Sequence, residues 1–134
     1  MIVVDSSVVV AILLSEPDAD TFRNTLEAQS DKRISVATVL ECCLVLHGKV
    51  AANASTVESW IDRFLADSQF ALEPVTADQL AHARNAYVAY GKGIGHPAQL
   101  NFGDCFSYAL AKALGAPLLY KGGDFAKTDI VSAL

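Results

Sequence analysis

Apolar residues come in short bursts along the chain, each ended by a polar residue or a turn, and their spacing alternates between strand-like and helix-like. Ile2-Val3-Val4 is a β-branched run that stops at Asp5, the pattern of a short buried strand. Asp5-Ser6-Ser7 places capping side chains ahead of Val8 to Leu14, so a helix is expected at the strand's exit. Pro17 is expected to open a second helix with Phe22 and Leu26 on its apolar side. A short strand at Arg33 to Val36 precedes a helix from Thr38 to about Val50, where Val39, Leu40, Cys43, Leu44 and Leu46 recur at helical spacing. After capping residues at Asn53 to Thr56, Val57, Trp60, Ile61, Phe64 and Leu65 form the stripe of the next helix.

Phe70 to Val75 reads as a strand, and Thr76 is the expected cap of a helix from Ala77 to Tyr90. Gly91 to Pro97 is glycine-rich and is expected to form an exposed, mobile loop. Asn101-Phe102-Gly103-Asp104 opens a helix reaching Leu114, closed by Gly115 and Pro117. Leu118 to Tyr120 is a final strand, Lys121 to Asp124 a turn, and Ile130-Val131 a short edge strand. Strands alternating with helices predict an α/β fold with a parallel sheet covered on both faces. Ligands of such sheets bind beyond the carboxyl ends of the strands, where Asp5 and Asp124 fall.

Composition narrows the class. The 134 residues are the size of one domain, and 52% hydrophobic against 19% charged residues predicts an ordered core. No apolar run approaches the ~20 residues of a membrane span, and the first basic residue, Arg23, lies behind the apolar N-terminal run. A cytoplasmic protein without membrane contact is expected. The three cysteines, Cys42, Cys43 and Cys105, have neither disulfide nor zinc spacing and read as small buried hydrophobes. A net charge of −5 argues against a broad basic face for nucleic acid, so any such role needs a local device such as a bound cation.

Most of the fifteen acidic residues fall on polar helix faces, but four do not. Asp5 is the first charged side chain of the sequence and ends the first strand. Glu41 has Ala37, Thr38, Leu44 and Val45 as helical neighbours and no partner for an ion pair. Asp104 stands three residues after a potential Asn cap, and Asp124 follows the last main strand. Capping explains Asp5 and Asp104, an Asx-turn explains Asp124, and a solvent-reaching tilt explains Glu41. Their joint placement says more, because a parallel sheet gathers strand exits and helix starts at one end. Two carboxylates about 5 Å apart repel by roughly 3 kcal/mol at an effective dielectric near 20. A hard divalent cation, Mg²⁺ or Mn²⁺, would relieve that repulsion and could orient water for attack on phosphorus.

With these motifs the chain resembles the PIN-domain ribonucleases, and among them the VapC toxins of bacterial toxin–antitoxin pairs. The resemblance runs the whole length and is most specific over Leu100 to Ile130. It implies a three-layer α/β/α fold with a central, mainly parallel sheet, and metal-dependent cleavage of RNA. It assigns Asp5, Glu41, Asp104 and Asp124 to the acidic catalytic and metal site, with Ser6 or Ser7 behind them. Many relatives carry Asn or Asp where this chain has Gly123, which is expected to loosen Asp124; Asp129 is a further acid, expected to stay behind the site or in solvent. With 52% hydrophobic residues in so short a chain, the apolar helices from Thr38 to Leu65 are not expected to be wholly buried in one protomer, so a homodimer and a further partner are expected; the resemblance implies that this partner is a cognate VapB-type antitoxin covering that groove, with DNA met only through it.

His47, His82 and His96 are scattered and read as ordinary core or solvated residues. Lys121 and Lys127 flank Asp124 and either position a phosphate or balance the acids. Two other functions compete. A phosphoaspartyl enzyme would want a second acid two residues after Asp5, where Ser7 stands. A catalytically inactive partner-binding module would use the same acids only as caps.

Overall fold

The computed structural model describes residues 1–134. Four strands, β1 (Ile2–Val4), β2 (Lys32–Ser35), β3 (Phe70–Glu73) and β4 (Leu118–Leu119), form one sheet in the order β3-β2-β1-β4. Every pairing is parallel. Six helices fill the connections: α1 (Ser6–Leu13), α2 (Ala19–Glu27), α3 (Val36–Lys49), α4 (Ala54–Asp67), α5 (Ala77–Tyr90) and α6 (Phe102–Leu114).

Strand alternation sends successive side chains to opposite faces, and here both faces are apolar. Ile2, Val4, Ile34 and Leu119 join a core built with α1, α2, α3 and α4, including Val8, Phe22, Leu46 and Ile61. Val3 and Leu118 point the other way, into a second core with Ala86 of α5 and Tyr108 and Leu110 of α6. The result is the three-layer α/β/α arrangement.

The chain adds β2 and then β3 on one side of β1, then crosses back to place β4 on the other side. That reversal between β1 and β4 opens a crevice at the carboxyl ends of these strands, the position where open parallel sheets take their ligands. Asp5 leaves β1 there, and Lys121 to Asp124 leave β4.

Several boundaries differ from the sequence expectation. α2 begins at Ala19 rather than Pro17, and its N-cap Asp18 makes no capping bond because its carboxylate pairs with Lys121 Nζ at 3.1 Å. α3 begins at Val36 because the Ser35 side chain accepts the Ala37 N–H, which turns the chain into a helix before the expected strand ends. The loop expected to be exposed from Gly91 to Pro97 is tied at its base. Gly91 is buried, Lys92 N–H donates to Leu100 O, and Leu100 N–H to Tyr90 O. Ile130-Val131 is not an edge strand: a single parallel bridge joins Leu118 to Ser132 and covers the outer edge of β4.

Candidate active site

Asp5, Glu41, Asp104 and Asp124 come from four separate segments and line one cleft of about 410 Å³ at the sheet's carboxyl end. Ser6, Ser7, Glu16, Lys49, Asn101 and Lys121 share its walls.

Asp5 is 2% exposed and is the most constrained of the four. It caps α1, its Oδ2 accepting from Ser7 N–H at 3.0 Å and from Ser7 Oγ at 2.6 Å, while Oδ1 accepts from Ser107 Oγ at 2.6 Å. Ser7 Oγ in turn accepts the Lys121 N–H at 3.0 Å, which locks the β4 exit to the β1 exit. Glu41 is half-buried, with its Oε1 accepting a hydrogen bond from the Ser6 hydroxyl. Burial, opposed by that hydrogen bond and aided by the Asp5 charge, raises the Glu41 carboxyl above its usual range.

Asp104 closes a capping box on α6: the Asn101 side chain accepts the Asp104 N–H, and Asp104 Oδ2 accepts the Asn101 N–H at 3.0 Å. The capping role read from the sequence is therefore real, and the carboxylate faces the cleft as well. Burial pushes its carboxyl up to about 7; the Asn101 N–H opposes this, and the charges of Asp5, Glu41 and Asp124 add to it. Asp124 is exposed and makes no capping bond with its side chain, so an Asx-turn does not account for it.

Lys49 and Lys121 share the cleft walls, but no lysine or arginine forms an ion pair with any of the four acids. Lys121 Nζ is held by Glu16 at 3.0 Å and Asp18 at 3.1 Å. The mutual repulsion and the raised Glu41 and Asp104 carboxyls mark a donor set short of positive charge, made of hard oxygens, and it fits a divalent cation that keeps several waters. In this structure no three His, Cys, Asp or Glu side chains stand close enough together to hold a metal ion, so the four acids share a cleft without forming a preassembled site.

Other candidates fall elsewhere. Asp129 accepts from Tyr108 Oη at 2.6 Å and pairs with Lys112 at 2.9 Å, outside the cleft. His47 pairs with Glu58, and His96 packs edge-on against Tyr90 while its Nδ1 accepts the Ala98 N–H. Cys42 and Cys105 are buried as expected, whereas Cys43 is only half-buried. Sequence reasoning missed Ser107 and Thr38, whose hydroxyls stand behind Asp5. Their signal was present as two polar residues set one helical turn from Glu41 and Asp104.

The class defined so far is a three-layer parallel α/β protein with four carboxylates in a cleft at its topological switch point. The PIN domain family model matches residues 2–131, and the chain belongs to that family. It is 42% identical to VapC ribonuclease Mb0625 of Mycobacterium bovis over 132 residues, 98% of this chain and 97% of that protein. It is 45% identical to ribonuclease VapC30 of Mycobacterium tuberculosis over 131 residues, 97% and 96% of the two chains. Among solved structures, the Mycobacterium tuberculosis toxin VapC20, described as cleaving the sarcin-ricin loop, superposes with a TM-score of 0.75 at 18% identity, covering 98% and 97% of the chains. A toxin–antitoxin complex from Klebsiella pneumoniae gives 0.70 at 18% identity, covering 100% and 98%.

Proposed function

We propose that this chain is the toxin of a type II toxin–antitoxin pair, a Mg²⁺-dependent endoribonuclease whose metal site is formed by Asp5, Glu41, Asp104 and Asp124. The observation that carries the proposal is the meeting of four carboxylates, from four segments, in one cleft where no lysine or arginine forms an ion pair with any of them. Relatives at 42–45% identity over nearly full length are named ribonucleases, which supports RNA as substrate.

A bound Mg²⁺ would supply an activated water and neutralise charge developing on the phosphodiester. The protein's own part is graded by stiffness. Asp5 is gripped by three donors, Glu41 and Asp104 by one each, and Asp124 by no capping donor. Asp5 therefore serves as the fixed anchor and Asp124 as the adjustable member. Lys49 is exposed at the cleft wall and takes part in none of the salt bridges formed there, which leaves it for an RNA phosphate.

On this reading the antitoxin covers the acids. Leu40 and Leu44 of α3, 60% and 67% exposed, flank Glu41, and a partner segment covering them would bring a basic side chain to the carboxylates. The toxin–antitoxin complex among the structural neighbours supports such a partner. A homodimer is assigned to a different face, the apolar groove between α5 and α6 lined by Val75, Leu80, Tyr87, Val88, Phe102 and Phe106. Of the helices from Thr38 to Leu65, which were not expected to be wholly buried in one protomer, Leu40, Leu44 and Trp60 are exposed while Cys42, Leu46, Val57, Ile61 and Leu65 lie in the core.

The deciding experiment incubates antitoxin-free protein with total RNA in Mg²⁺, in Mn²⁺ and in EDTA. Discrete cleavage with either cation and none with EDTA is expected. Intact RNA after incubation with folded protein and Mg²⁺ or Mn²⁺ overturns the proposal.

A further inference from the structure

Two buried hydroxyls stand behind Asp5. Ser107 on α6 and Thr38 on α3 are each 1% exposed. Serine inside a helix is less favourable than alanine, and a buried hydroxyl left without a partner is costly. Ser107 does not turn back on its own helix. Its Oγ lies 2.6 Å from Asp5 Oδ1 and 3.2 Å from Thr38 Oγ1.

Counting protons fixes the direction of these bonds. A hydroxyl owns one proton, and a carboxylate oxygen only accepts. Ser107 must therefore give its proton to Asp5, so the Thr38 contact runs from Thr38 O–H to Ser107 Oγ. The chain Thr38 to Ser107 to Asp5 is a directed relay in which each bond polarises the next.

Its placement gives it a task. Thr38 lies one turn before Glu41 on α3, and Ser107 one turn after Asp104 on α6. Each acid-bearing helix is thus pinned to Asp5 through a hydroxyl one turn from its own acid. Ser7 grips Oδ2 with its N–H and O–H while Ser107 grips Oδ1, so the Asp5 carboxylate cannot rotate without losing donors.

We propose that Ser107 and Thr38 are positioning residues, a directed hydroxyl relay that sets the Asp5 carboxylate plane and registers α3 and α6 around it for a divalent cation. This rests on the metal-nuclease function proposed for the cleft. Outer partners of this kind typically change metal affinity or activity 10–100-fold when removed.

The test measures Mn²⁺ affinity by calorimetry on RNA-free protein, beside urea melts of the metal-free protein, for Ser107→Ala, Thr38→Val, Thr38→Ser and the double variant Ser107→Ala/Thr38→Val. Ser107→Ala is expected to weaken Mn²⁺ binding about tenfold or more. Thr38→Val should weaken it by a smaller factor, and Thr38→Ser, which keeps the hydroxyl, should bind like the parent. In the Ser107→Ala background Thr38→Val should add nothing, because it acts only through Ser107. Should Ser107→Ala fail to fold, the contrast between Thr38→Val and Thr38→Ser decides alone. A Ser107→Ala protein that binds Mn²⁺ as the parent does, or effects of the two substitutions that multiply, overturns the relay. A folded parent that binds no Mn²⁺ overturns the metal site and the relay with it, which separates the two failures.

Discussion

Asp104 carries two jobs whose requirements conflict. As the acid of a capping box it is welcome at a helix N-terminus, yet burial beside three other acids pushes its carboxyl up to about 7. The unfolded chain holds this group near its ordinary value of 3.8, so between about pH 4 and 7 the native state binds more protons than the unfolded state. Its contribution to stability is therefore full below about pH 4 and is lost as pH rises toward 7. In EDTA, Asp104→Asn should be more stable than the parent above pH 7, by about 1 kcal/mol after solvent screening is allowed for, with the gap closing toward pH 4. Saturating Mg²⁺ should reverse the order, because the cation binds the parent better, and RNA cleavage by the variant should be abolished. Melts across pH with and without Mg²⁺, beside single-turnover cleavage, check this; an Asn variant less stable than the parent at pH 8 in EDTA would refute it. Gly103 is the companion case. A Cβ there would overlap the Glu41 carboxylate, the far end of a flexible side chain that can swing aside. Gly103→Ala should fold, with stability within about 1 kcal/mol of the parent because helix propensity and the displacement of Glu41 oppose each other, while cleavage drops by at least tenfold.

α6 shows how an element is delimited by chemistry that the sequence displays openly. Asn101 and Asp104 cap each other's N–H groups at its start, and Gly115 ends it in the left-handed region at φ 61°. No atom lies within 4 Å of a Cβ built at Gly115, so backbone strain is the whole cost of a side chain there. Gly115→Ala should destabilise by about 1 kcal/mol without altering Mn²⁺ affinity, since it sits at the far end of the helix from Asp104. A denaturant melt and a calorimetric titration read both halves of that expectation. α2 shows the opposite case. Pro17 promised a helix start, but Glu16 and Asp18 are drawn to Lys121, a residue 103 positions from Asp18, and the helix waits until Ala19. No local pattern announces a partner that distant.

At the scale of the molecule, apolar surface is left on two sides. Leu40 and Leu44 lie beside the acids, while Tyr87, Val88 and Phe102 line a groove on the α5–α6 face. Val88 is 69% exposed, so Val88→Asp leaves the core untouched. Light scattering should show a dimer for the parent and a monomer for Val88→Asp, with Mn²⁺ binding intact and a melting temperature that, unlike the parent's, does not rise with protein concentration. A parent that is monomeric at micromolar concentration would remove the dimer from this face. No helix of the chain is long and apolar enough to cross a membrane, in keeping with the short bursts in which its apolar residues occur.

The sequence by itself determined the alternation of strands and helices, the capping at Asp5, Thr76 and Asn101, and the four acids that would meet. These are set by local physics: periodicity chooses the element, and a polar side chain at the right offset starts or stops it. The full-length resemblance turned that pattern into a family, which the match over residues 2–131 bears out. What Glu41 and Asp5 lean on is set by tertiary contacts between residues far apart in the chain. Ser6 lies 35 residues from Glu41 and Ser107 lies 102 from Asp5, and nothing in the neighbourhood of a serine says which distant carboxylate its one proton will serve. The raised Asp104 carboxyl, the captured Lys121 and the tail laid along β4 have the same origin, because burial and electrostatics depend on what the fold brings within a few ångströms, and the crossover that places β4 beside β1 is what brings it.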